Sequence, residues 1–125
     1  MTITRLFPVL RTTDLDRLVG FYQTAFAASV VYRYTHDGRE VYVALRVGGG
    51  TLGIGFEPHI SRGDTVAIWL YADDADAAYR DAMDAGASSV APPDDLPWGE
   101  RVAQVHDPDG NLLYLATPGD EVPAA

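Results

Sequence analysis

Leu96-Pro97-Trp98-Gly99-Glu100-Arg101, followed closely by Val105-His106-Asp107-Pro108-Asp109-Gly110-Asn111-Leu112-Leu113-Tyr114-Leu115, is the stretch whose reading decides the fold. Between two runs of strand formers it gathers Asp, Pro, Gly and Asn. Proline fixes φ near about −65°, glycine accepts positive φ, and short Asp and Asn side chains hydrogen-bond their own backbone. The pattern predicts a β-hairpin with strands over 100–106 and 111–117.

Upstream, residues 3–11 form an apolar run interrupted by Pro8, which predicts an edge strand or one paired on one side. Thr12-Thr13-Asp14 supplies a helix N-cap, and Leu15, Leu18, Val19, Tyr22 and Phe26 recur at helical spacing, predicting a helix over 14–27. Strands are expected at 29–35, 40–47 and 50–57, turned by His36-Asp37-Gly38-Arg39 and by Gly48-Gly49-Gly50. After a polar linker the order recurs. A strand is expected at 65–72 and a helix at 74–85, capped by Asp73 or Asp74 and ending at Gly86. A short strand at 87–91 and a loop over 91–97 lead to the final hairpin.

The chain thus reads βαβββ twice, the second copy shifted by about sixty residues, with Leu10-Arg11-Thr12-Thr13-Asp14 against Leu70-Tyr71-Ala72-Asp73-Asp74. The expected class is α+β: two βαβββ modules forming cupped mixed sheets. The boundaries are module one at 1–57, linker 58–64, module two at 65–118 and a frayed tail at 119–125. A single ferredoxin-like sheet is the alternative, and eight strands with two helices favour the duplication.

A chain of 125 residues, 47% hydrophobic and 22% charged, suits one folded domain. Eighteen acidic against nine basic residues give a net charge of −9, which disfavours nucleic acid and anionic membranes as partners. The same charge would steer cationic ligands inward or serve solubility alone. Without cysteine there is no disulfide, thiolate metal site or cysteine nucleophile. No signal-like or membrane-length apolar run occurs, so a cytoplasmic location is the expectation.

The Pro97-Trp98-Gly99 approach, the Asp107-Pro108-Asp109-Gly110-Asn111 turn, Phe7-Pro8-Val9-Leu10, Phe21-Tyr22 and Thr65-Val66-Ala67-Ile68-Trp69 occur in this order along nearly the whole chain. Together they resemble the vicinal-oxygen-chelate superfamily of glyoxalases, bleomycin-resistance proteins and extradiol dioxygenases, and within it the bleomycin-resistance drug-binding branch. The usual Leu-Gly ending of the first helix is Phe26-Ala27 here. The superfamily's enzymes hold a divalent metal through four inward side chains. By that resemblance the four positions fall on Phe7, on Gly53 or Gly55, on Ala67 and on Tyr114. Phe, Gly and Ala offer no metal donor and Tyr alone is a poor one, so no metal and no other cofactor are expected.

Nor do other residues suggest a metal or catalytic site. His36, His59 and His106 show no close ligand spacing, and Glu57 with His59 reads more simply as a solvated strand end. No nucleophile elbow or phosphate-binding loop is present. Strand alternation instead sends aromatic side chains to the cupped face: Phe7, Tyr42, Trp69, Tyr71 and Tyr114, with Trp98 on a loop that can fold over them. Ala67, Gly53 and Gly55 leave room between, while Arg46 and Glu57 are polar anchors or plain surface.

The expected ligand site is therefore Phe7, Tyr42, Arg46, Glu57, Trp69, Tyr71, Trp98 and Tyr114, suited to a flat, aromatic small molecule, cationic or neutral. The resemblance implies sequestration of a natural product or antibiotic by a domain-exchanged homodimer. A metal-independent isomerase, cyclase or lyase using the same cup is the alternative, with Tyr114, Glu57 or His106 as acid–base candidates. A scaffold or partner module is the third reading.

Overall fold

The computed structural model describes residues 1–2, 4–61, 63–64 and 66–119. The chain divides into two compact units, Met1–Ser61 and Arg62–Ala125. The first unit runs β1 (Val9–Thr12), α1 (Leu15–Phe26), β2 (Ser29–His36), β3 (Arg39–Val47) and β4 (Gly50–Phe56). The second repeats the order with β5 (Ala67–Tyr71), α2 (Ala75–Asp84), β6 (Ser88–Asp95), β7 (Arg101–His106) and β8 (Leu112–Thr117). Each unit folds one four-stranded mixed sheet, ordered β1-β4-β3-β2 and β5-β8-β7-β6, with its first and last strands parallel neighbours. The duplication read from the sequence is therefore a duplication of topology, and the α+β class with two βαβββ modules holds.

Helix α1 starts where Asp14 accepts a hydrogen bond from the Arg17 amide at 3.1 Å. Leu15, Leu18, Val19 and Tyr22 are buried along it and pack with Val43, Leu45, Leu52 and Ile54 as the first core. Burial of each large aliphatic chain stabilises by about 1.5–3 kcal/mol. The helix ends at Ala27 in the left-handed region, φ 55°, a conformation that favours glycine. Helix α2 is capped by Asp74, which receives the amides of Asp76 and Ala77. It buries Ala75 and Ala82 in a unit whose core includes Val105, Leu113 and Leu115.

Two expected boundaries differ. The first strand begins at Val9, not residue 3, because Pro8 lacks an N–H; Pro8 still contributes its carbonyl to the Gly53 amide at 2.9 Å. Phe7 thus precedes the strand. The expected loop over 91–97 is mostly strand: β6 runs through Pro92 and Pro93 to Asp95. It can do so because β6 is an edge strand, and its pairing with β7 shifts register between Ser89 and Ala91 and again between Ala91 and Asp94. The expected tail lies outside the described residues beyond Gly119, as do Arg62 and Thr65 of the linker and following strand and Ile3 of the first strand.

Candidate functional site

Register assembles the second unit's open face. Trp69 on β5 lies beside Tyr114 on β8, Tyr114 beside Gln104 on β7, and Gln104 beside Ala91 on β6. The next row on the same face is Tyr71, Ala116, Val102 and Asp94. Side chains two residues apart on a strand share a face, so these rows form one wall. The Trp69 and Tyr114 rings stack, centroids 4.9 Å apart and planes 12° from parallel, while Tyr71 meets Trp69 edge-on at 6.1 Å.

Above this wall the chain turns tightly. The Leu96 amide bonds the Glu100 carbonyl at 2.8 Å and the Gly99 amide bonds the Leu96 carbonyl at 3.0 Å, with Gly99 at φ 97°. The turn projects Trp98, 58% exposed, and fixes its indole Nε1–H on Glu100 Oε1 at 2.6 Å. A cleft of about 700 Å³ results, walled by Trp69, Tyr114 and Trp98 with Pro92, Pro93 and Leu96 along its rim side. Asp94 and Gln104 are its polar members, and no basic residue lines it among the described residues.

Glu100 is only 3% exposed, and its Oε2 is buried with no hydrogen-bond partner among the described residues. The Tyr71 hydroxyl feels this carboxylate. Its pKa is raised above the phenol value of 10.0, first by hydrogen bonding toward Glu100, then by lost solvation and by the negative charge. Arg101 closes the turn from behind, bonding Asp76 through Nε at 2.7 Å and Nη2 at 3.1 Å, and Asp95 through Nη1 at 3.1 Å. It holds the start of α2 against the β6–β7 turn and keeps the Asp76 carboxyl below the usual carboxylate range.

Of the expected site residues, the fold brings Trp69, Tyr71, Trp98 and Tyr114 to this one face. The other four lie in the first unit, each with its own neighbours. Tyr42 packs near Tyr32, ring centroids 6.3 Å apart, and its ring occupies the space over Gly53, so that glycine leaves no open room. Phe7 carries the Arg5 guanidinium 5.1 Å from its ring centre. Arg46 is exposed on β3, and Glu57, just past β4, donates its amide to the Thr12 carbonyl at 2.9 Å. His106 pairs with Asp64 at 3.0 Å.

Glu100 and the Pro92-Pro93-Asp94 wall are the residues that sequence reasoning missed. The alternation Glu100, Val102, Gln104 leading into β7 is a signal that places Glu100 on the same side as the cleft-lining Val102 and Gln104. The metal positions implied by the resemblance do not fit a divalent ion. Tyr114 is stacked on Trp69, Gly53 is covered by Tyr42, and Ala67 and Phe7 carry no donor.

The Glyoxalase/Bleomycin resistance protein/Dioxygenase superfamily model matches residues 4–115. The uncharacterized protein Mb0911c of Mycobacterium bovis is 33% identical, over 94% of this chain and 85% of its own length. Among solved structures, TioX from Micromonospora sp. ML1 superposes with a TM-score of 0.73 at 23% identity, covering 96% of this chain and all of TioX. A bleomycin-binding protein complexed with bleomycin superposes at 0.68 and 24%, covering 93% of this chain and 99% of that one. At those identities the two structures speak for the fold alone. The family match over most of the length speaks for descent: the chain belongs to the glyoxalase, bleomycin resistance protein and dioxygenase superfamily.

Proposed function

We propose that this chain is a metal-free binding protein that sequesters an aromatic natural product or antibiotic without altering it. The observation that carries the reading is the cleft in which Trp98 stands opposite the Trp69–Tyr114 stack. Flat electron-rich faces around an open, mostly apolar space suit a planar ligand. The similar fold of a protein solved with bleomycin supports a drug-binding role. The proposed contacts are Trp69, Tyr71, Trp98 and Tyr114, with Phe7, Tyr42, Arg46 and Glu57 as those of the first unit. The exposed aromatics Tyr32 and Tyr34 support a homodimer that covers them, with domain exchange as its proposed form. A cytoplasmic location is proposed with it; no helix of the described residues is long and apolar enough to cross a membrane.

The Tyr71–Glu100 pair favours one second reading, a metal-independent isomerase, cyclase or lyase in which this pair moves a proton. One experiment separates the two. Chelator-treated protein is titrated with a panel of aromatic antibiotics including bleomycin, tryptophan fluorescence is followed, and each ligand is recovered by chromatography. Saturable quenching with unchanged ligand is the expected result. A chemically altered ligand moves the protein to the enzyme reading, and silence across the panel removes both from this panel's chemistry.

A further inference from the structure

Glu100 is a buried carboxylate that the cleft's shape does not require. One oxygen accepts the Trp98 indole N–H at 2.6 Å; the other is fully buried, and the Tyr71 hydroxyl is the neighbour whose proton this carboxylate holds. The adjacent cation does not neutralise it, since Arg101 is engaged by Asp76 and Asp95. Such a charge is costly to hold, and being out of water it is weakly screened. Trp98 lines the cleft and Glu100 holds its indole N–H at the ring edge. A carboxylate accepting the indole N–H pushes electron density into the ring and places negative charge at its edge, which strengthens attraction of a cation at the ring face. Asp94 adds a negative group to the lining itself, and among the described residues no basic residue lines the cleft to offset it.

We propose that Glu100 is a specificity-determining residue: through Trp98 it makes the cleft select a planar cationic ligand, such as an N-alkylated heteroaromatic, over its neutral counterpart. The inference rests on the binding role proposed above and adds the ligand's charge class and the residue that reads it.

The test measures N-methylacridinium and acridine binding by equilibrium dialysis, at a pH where acridine is neutral. Wild type is expected to prefer the cation. Glu100→Gln, which keeps an acceptor for Trp98 but loses the charge, should weaken the cation about ten-fold and acridine less than about two-fold. Trp98→Phe, at an exposed position, keeps a ring but loses the N–H link, and should lower the same preference should Glu100→Gln fail to fold. Equal losses for both ligands would mean that Glu100 merely holds Trp98 in place, and an unchanged ratio in both variants would likewise overturn the inference. Failure of wild type to bind either acridine would remove the binding role of the cleft itself, and this inference with it.

Discussion

Trp69 and Tyr114 are register partners on the parallel strands β5 and β8, and their rings lie face to face at 4.9 Å. Neighbouring strands stand about 4.8 Å apart, so the stack costs no distortion of the ladder and each ring braces the other. Trp69→Ala removes half of that stack. Affinity for an aromatic ligand should fall at least about ten-fold in a fluorescence or calorimetric titration, whereas Tyr114→Phe, which keeps the ring, should retain most of it.

Ala27 ends α1 at φ 55°, where a Cβ crowds the following carbonyl. Ala27→Gly should raise stability by about 0.5–1 kcal/mol, the relief of the left-handed conformation exceeding the extra freedom of the unfolded chain. A higher urea midpoint at constant slope would register it.

Asp107 ties the last hairpin through its side chain. Its 2%-exposed carboxylate accepts the Asp109 amide at 2.9 Å, the Asn111 amide at 3.0 Å and the Asn111 side-chain amide at 2.8 Å. Asp107→Ala leaves two backbone donors without this acceptor and should cost about 2–3 kcal/mol in denaturant unfolding.

Gly53 has no room for a Cβ, because the Tyr42 ring and hydroxyl lie where it would project. Gly53→Ala should displace Tyr42 and lower stability by about 1–3 kcal/mol. The Tyr42 ring resonances should shift while those of the second unit hold.

Tyr71 should release its proton above the ordinary phenol value of 10.0, because the Glu100 carboxylate favours the neutral hydroxyl. The folded protein thus holds this proton longer than the unfolded chain. The associated stabilisation is complete below about pH 10 and is lost as pH rises through the folded pKa. In an ultraviolet tyrosinate titration, Tyr71→Phe should remove a late-ionising component and Glu100→Gln should bring it earlier.

What the sequence made legible follows local rules. Asp14 and the 15, 18, 19, 22 spacing define α1 almost to its ends, and Asp107-Pro108-Asp109-Gly110-Asn111 defines the hairpin, because capping and turn chemistry act over a few residues. Trp69, Tyr71 and Tyr114 share a face because alternation fixes it. Pairing was harder. Nothing local in Val9–Thr12 says that it runs parallel to β4, and Pro92-Pro93 reads as a loop unless its edge position is known. The burial of Glu100 depends on the whole β6–β7 turn closing around one carboxylate, which no pattern of residue types records.

The adjacent prolines of β6 have one more consequence. A sheet's open rim is where foreign strands attach and begin aggregates, and Pro92 and Pro93 remove two consecutive amide donors from this edge strand. The same Pro-Pro step that shapes the cleft wall therefore also keeps this edge from templating the chain's own precipitation.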